Sequence, residues 1–324
     1  MTDGMIGLLC ILGSILLIQT GMHIAVSLMA LSFVGVWIVR GENVAGNLLA
    51  RSAYDSMALD ALGVIPLFVL MGLLVAASGI GRDTFDVASM MLRRIRGGLG
   101  MATVAANAVF AACTGTSIAS ASVFTRISVP EMIRYGYQPR FAVGVVAGSS
   151  VLGMLIPPSL LFIIYGVIAN ASIGHLFIAG ILPGILLSVA FMIVIWLMAK
   201  FSEQSVFVGS YAEAKALETT NTMAIEGSLW LKILPVVIII SIVLGGIYAG
   251  FFSPNEAGAV GALAAFVIGI VRRVFTPKGL LDVALETGRV TAAILFLLMS
   301  AQMYSQMLTA TGLPQEFAGW VENA

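Results

Sequence analysis

Charge is scarce in this chain. Of 324 residues, 16 are Lys or Arg and 16 are Asp or Glu, together 10% of the sequence, against about 25% in soluble domains. The formal net charge is 0, which removes the basic balance expected of a nucleic-acid binder. Only two cysteines occur, Cys10 and Cys113, both inside apolar runs. That excludes a disulfide framework and reads as two buried small residues. The two histidines, His23 and His175, have no Cys, Asp or Glu at ligand spacing, so no transition-metal site is expected. No Ser-His-acid set, phosphate loop or nucleotide fingerprint is present, and the protein is not expected to be an enzyme.

What remains is apolar. Hydrophobic residues make up 60% of the sequence and 35 glycines add to them, while mean hydropathy is +1.05. A soluble globule cannot hide that much apolar surface, so the protein belongs in a lipid bilayer. Residues 4–39, 61–81, 97–125, 141–199, 233–255, 257–271 and 290–315 carry no Asp, Glu, Lys or Arg. A spanning helix needs about 20 apolar residues, and backbone polar groups in hydrocarbon must be satisfied internally, so these runs predict helices. They do not alternate as barrel strands do. Roughly eight to ten membrane segments are expected, with a break near Gly21 dividing the first run. Asp3 and the lack of a basic start predict that the first segment stays as a helix. A basic stretch from Thr84 to Arg96, starting at Asp83 or Thr84, reads either as an interfacial helix or as a short connector.

Two segments interrupt the helical pattern. In residues 102–122, 14 of 21 are Ala, Ser or Thr, with Cys113-Thr114-Gly115-Thr116-Ser117 at the centre. Arms of about 12–15 residues on either side reach about 18–22 Å, short of a hydrocarbon core of about 30 Å. Such arms joined at a Gly-Thr-Ser tip predict a re-entrant hairpin. One ordinary small-residue helix with a tight packing face is the alternative. Further on, Pro157 and Pro158 remove two backbone donors inside an apolar run, so a helix from Phe141 must unwind near Ile156. Irregular backbone at that depth lines a cavity or is buried in protein, although a proline kink with no ligand also fits. Broken helices expose free carbonyls and amides, which in transporters face the ion or substrate. Thr114, Gly115, Thr116 and Ser117 from the tip, with Ser149, Ser150 and Gly153 from the broken helix, are therefore candidate ligands of a hard cation, sodium.

The stretch Gly148 to Leu186 carries Ile156-Pro157-Pro158-Ser159 and the run Leu176 to Leu187. Together with Ile65 to Gly72 and Gly245 to Ala257, it resembles the large membrane subunit of tripartite ATP-independent periplasmic (TRAP) transporters. The resemblance implies an all-α polytopic membrane protein, an elevator-type transporter with a re-entrant helical hairpin and broken helices. It implies a multi-pass location in the bacterial or archaeal cytoplasmic (inner) membrane. It implies uptake of organic acids, of the C4-dicarboxylate or sugar-acid class, driven by sodium and needing no other cofactor. The implied partners are a small TRAP membrane subunit, a periplasmic substrate-binding protein and the lipid bilayer, with no nucleic acid. Asn107, Pro157, Pro158 and Ser159 are candidate substrate-pocket residues.

The expected organisation is N-terminal scaffold helices over 1–63 and a first repeat over 64–199. That repeat holds the hairpin (about 99–128) and the Pro-Pro broken helix (about 141–170). A polar linker over 200–232 leads to the start of a second repeat over 233–324. Ser78-Gly79-Ile80 and Thr311-Gly312-Leu313 follow similar apolar spans, a weak internal repeat. After Gly312 only 12 residues remain, so the second inverted repeat is expected to be incomplete and the protein C-terminally shortened. Two other readings stay open: an elevator-type anion carrier without a binding protein, and a non-transporting truncated remnant. Glu256, which opens an apolar span after Ser253-Pro254-Asn255, reads as a helix cap or as a buried ligand. Asn107 either bonds across helices or helps to shape the ion site.

Overall fold

The structure, a computed structural model, describes residues 3–58, 60–212 and 229–322. Residues 213–228 of the expected polar linker lie outside the described residues. The described part is all-helical apart from one isolated bridge between Tyr137 and Phe207. In order it forms α1 (Asp3–Gln19), α2 (Ile24–Arg40), α3 (Glu42–Ala58), α4 (Val64–Ala77), α5 (Ile80–Leu92), α6 (Gly98–Thr114), α7 (Ser117–Arg134) and α8 (Pro139–Ser150). There follow α9 (Leu152–Leu155), α10 (Leu160–Ile168), α11 (Ile173–Phe201), α12 (Glu203–Val206), α13 (Leu229–Ile240), α14 (Pro254–Val271), α15 (Pro277–Ala310) and α16 (Leu313–Glu322).

Among the described residues, four helical stretches are long and apolar enough to cross a membrane: Ile173–Phe201, Leu231–Tyr248, Pro254–Val271 and Pro277–Ala310. Two bent pairs, α4 with α5 at 62° and α8–α9 with α10 at 41°, raise the count to six if each is one span. The helices α1, α2 and α6 are apolar but shorter, at 17 residues each, about 26 Å long. The expected eight to ten segments thus resolve into fewer full-length spans and several short or broken ones. Shortness here comes from glycine: Gly21 (φ 89°) divides α1 from α2, and Gly79 (φ 82°) divides α4 from α5, in the left-handed region that other residues resist. Because Gly79 turns the backbone, α5 begins at Ile80, about one turn earlier than the start expected at Asp83 or Thr84.

The protein divides into two compact units, Met1–Leu62 with Arg289–Ala324, and Gly63–Gly288. In the first, Ile6, Cys10, Val36, Ala45 and Met307 form a buried cluster. In the second, α5 and α14 are tied by an ion pair between Asp83 and Arg272 (2.5 Å), and α5 and α13 by one between Asp86 and Lys232 (2.5 Å). Both cysteines are free and buried. The start of α14 is a capping box: Glu256 N–H donates to Ser253 Oγ (3.3 Å) while Ser253 N–H donates to the Glu256 carboxylate (2.7 Å). Glu256 is therefore a cap, which settles its two sequence readings. Ser253→Ala is expected to lower stability by about 1 kcal/mol, read as a small fall in the Tm of the detergent-solubilised protein.

Candidate functional site

The small-residue segment is broken where the composition suggested. Helix α6 ends at Thr114, Gly115 turns left-handed (φ 64°), and Thr116 is extended (φ −134°, ψ 137°) before α7 starts. The arms then run antiparallel. Phe110 and Phe124 meet edge to face with centroids 5.5 Å apart, and further from the tip Thr103 Oγ1 lies 3.6 Å from Met132 Sδ. The segment folds as two helices joined at a tight turn, but these arms have 17 and 18 residues rather than the expected 12–15. Gly97 (φ 76°) starts the first arm early, and Pro130 sits inside the second without ending it.

The second break also stands where the prolines put it. Helix α9 ends at Leu155, Ile156 and Ser159 are extended, and α10 begins at Leu160; the Pro157-Pro158 peptide is cis. Ser159 is fully buried and its hydroxyl donates to the Met154 carbonyl, occupying an acceptor freed by the break.

The two breaks touch. Leu160 N–H donates to the Gly115 carbonyl at 3.0 Å. A Cβ on Gly115 would collide with the Pro158 carbonyl oxygen, and one on Gly153 would stand 2.6 Å from the Thr116 carbonyl oxygen. Helix α4 closes the third side, since a Cβ on Gly72 would stand 2.5 Å from the Thr114 carbonyl oxygen. Glycine at these points lets backbone approach backbone. The C-terminal ends of α6 and α9 thus come together, and such ends carry partial negative charge from their unpaired carbonyls. The N-terminal ends of α7 and α10 lie beside them, with Thr116 Oγ1 accepting from Ala119 N–H at 3.4 Å as the α7 cap.

Of the candidate ligands, Gly115, Thr116, Ser117 and Gly153 gather at this junction with Pro158 and Ser159. Thr114 is buried and donates its hydroxyl hydrogen to the Phe110 carbonyl at 3.1 Å. Ser150 donates to the Ala147 carbonyl at 2.8 Å. A hydroxyl so engaged presents only lone pairs to its surroundings, which suits a hard cation. Ser149 is placed differently: it accepts from Asn107 Nδ2 at 2.7 Å, and both residues are buried. Asn107 therefore bonds across helices, two turns before the tip.

Two cavities flank the hairpin away from the tip. One of about 420 Å3 lies among α5, α6 and α13, and one of about 300 Å3 lies along α8, with Arg140 and Ser149 in its wall. Among the described residues no group of three or more His, Cys, Asp or Glu side chains gathers. Sequence reasoning missed Gly72, which occurs in the quoted Ile65–Gly72 motif but announces no contact.

Residues 11–324 match the family described as "Tripartite ATP-independent periplasmic transporter, DctM component". The chain is 35% identical over 274 residues to the C4-dicarboxylate TRAP transporter large permease protein DctM of Pseudomonas aeruginosa, covering 84% of this chain and 62% of that protein. It is 31% identical over 328 residues to the protein of the same name from Rhodobacter capsulatus, covering 96% of this chain and 71% of the relative. The Sialic acid TRAP transporter large permease protein SiaM of Vibrio cholerae is 31% identical over 313 residues, covering 96% and 70%. The chain thus spans between three-fifths and three-quarters of the length of these relatives. With its all-helical fold and membrane-length apolar helices, it belongs to the DctM component family of TRAP transporters, a transport family rather than a family of enzymes.

Proposed function

We propose that the protein works as the large permease subunit of a sodium-coupled secondary transporter in the inner membrane. It imports organic acids delivered by a periplasmic binding protein, beside a small membrane subunit. The C4-dicarboxylate and sialic acid names of the relatives favour a carboxylate substrate. The observation that carries the reading is the junction of the two breaks, where Leu160 N–H meets the Gly115 carbonyl. There the ends of α6 and α9 offer carbonyl oxygens to a cation, and the ends of α7 and α10 offer amides to an anion. Sodium bound among Thr114, Thr116, Ser117 and Ser150 would neutralise the carbonyl ends and hold hairpin and broken helix as one body. A repeat origin is favoured by Gly79 and Gly312, which make similar left-handed turns (φ 82° and 70°) after apolar helices.

The test is reconstitution of the protein with its small subunit in vesicles, with binding protein loaded with a labelled dicarboxylate or sialic acid outside. Uptake is expected only with an inward sodium gradient. Uptake without binding protein would support the independent-carrier reading, and none under any condition would support the remnant. Within this reading, Ser117→Ala is expected to raise the sodium concentration for half-maximal uptake. Losing one charge-assisted contact of about 1.5 kcal/mol is roughly tenfold. Unchanged sodium dependence would count against the placement.

A further inference from the structure

The seam between the hairpin arms contains polar atoms that the protein itself leaves unpaired. Asn107 Oδ1, Ser120 Oγ and Ser128 Oγ are buried and have no hydrogen-bond partner among the described residues. Asn107 and Ser128 are both fully buried. Their register places them opposite each other. On α6, Thr103, Asn107 and Phe110 follow i, i+4, i+7 spacing and share a face. On α7, Phe124, Ser128 and Met132 do the same at i, i+4, i+8. Thr103 meets Met132 and Phe110 meets Phe124, so the residues between them, Asn107 and Ser128, lie at one level on facing stripes.

A buried amide oxygen and a buried hydroxyl cannot both stay unpaired without a desolvation cost. They do not bond to each other, so a small guest is the means of satisfying both. Its identity follows from the donor set. A buried water needs two to four polar partners, and Asn107 Oδ1 and Ser128 Oγ supply two. Hard cations demand more oxygens, about six to eight for calcium, and here no carboxylate offsets the loss of hydration. We infer that one water molecule sits in the hairpin seam, donating to Asn107 Oδ1 and bonding to Ser128 Oγ. Asn107 then ties α6 to α8 directly through Ser149 and to α7 through this water. The Phe110–Phe124 pair lies between this site and the tip, so it is separate from the proposed cation junction and stands whether or not the protein transports.

The test is a density map at about 2 Å of the protein in lipid nanodiscs. One peak is expected within about 2.7–3.2 Å of both Asn107 Oδ1 and Ser128 Oγ. Ser128→Ala, which removes the hydroxyl and little else, is expected to lose the peak and lower Tm by a few degrees, while Ser128→Thr keeps both. A direct Asn107–Ser128 hydrogen bond with no peak between them overturns the inference. So does replacement of the peak by thallium in an anomalous map, which would make the guest a cation. Should Ser128→Ala fail to fold, the wild-type map still decides.

Discussion

Gly115→Ala is expected to destabilise the protein by about 2–5 kcal/mol and to abolish sodium-driven uptake, by two independent causes. The first is conformational. Gly115 sits at φ 64°, where an L-residue costs about 1–2 kcal/mol. The second is steric: the new methyl would meet the Pro158 carbonyl oxygen, with Leu160 N 3.7 Å away. Backbone atoms cannot step aside as a side-chain end can, and overpacking of this kind costs about 1–3 kcal/mol. Relief requires the tip to withdraw from the broken helix, which breaks the Leu160–Gly115 hydrogen bond. Gly144→Ala is the matched control. It lies inside α8 with nothing within 4 Å of a built Cβ, so alanine there is neutral or stabilising by about 0.5–1 kcal/mol. Thermal unfolding in detergent with uptake in vesicles reads both. Should the two variants behave alike, close contact between tip and break is not what holds the junction.

Much of this junction was legible because its causes are local. Two consecutive prolines at 157–158 break a helix wherever they stand, and Gly115 amid Thr and Ser breaks one at the tip. Gly21 likewise marked the division of the first run. What was not legible depends on register between distant helices. Nothing in the spacing says that Asn107 reaches Ser149, 42 residues on, or that Asp83 pairs with Arg272, 189 residues on. The arms run longer than the local composition implies. Pro130 stays inside α7 without ending it, a helix that packs along both α6 and α8. The largest surprise lies after α11. Residues 200–232 read as hydrophilic, yet Val206-Phe207-Val208 is an apolar triplet within them, the one local sign that this segment has a partner.

That partner is the base of the hairpin, and Phe207→Ala is expected to cost about 3–5 kcal/mol. Phe207 is 1% exposed, with its ring centroid 4.8 Å from that of Tyr137 and 5.6 Å from that of Tyr211. Backbone bonds from Gln138 N–H to the Val206 carbonyl and from Val208 N–H to the Gly136 carbonyl, both 2.8 Å, lay the segment across the α7–α8 turn. Tyr137 in turn accepts from Leu99 N–H at 3.3 Å, reaching the foot of the first arm. A rival cause is charge, because Arg96 pairs with Glu203 at 2.8 Å and lies 4.7 Å over the Tyr211 ring. These side chains are 33% and 35% exposed, and a pair screened to that degree contributes about 0–1 kcal/mol. Packing should therefore win: Glu203→Gln lowers Tm little, while Phe207→Ala lowers it strongly and speeds amide exchange at 97–99 and 135–141 before other helices respond. The reverse order of effects would mean that an ion pair, and not a buried ring, keeps the two arms together at their open end.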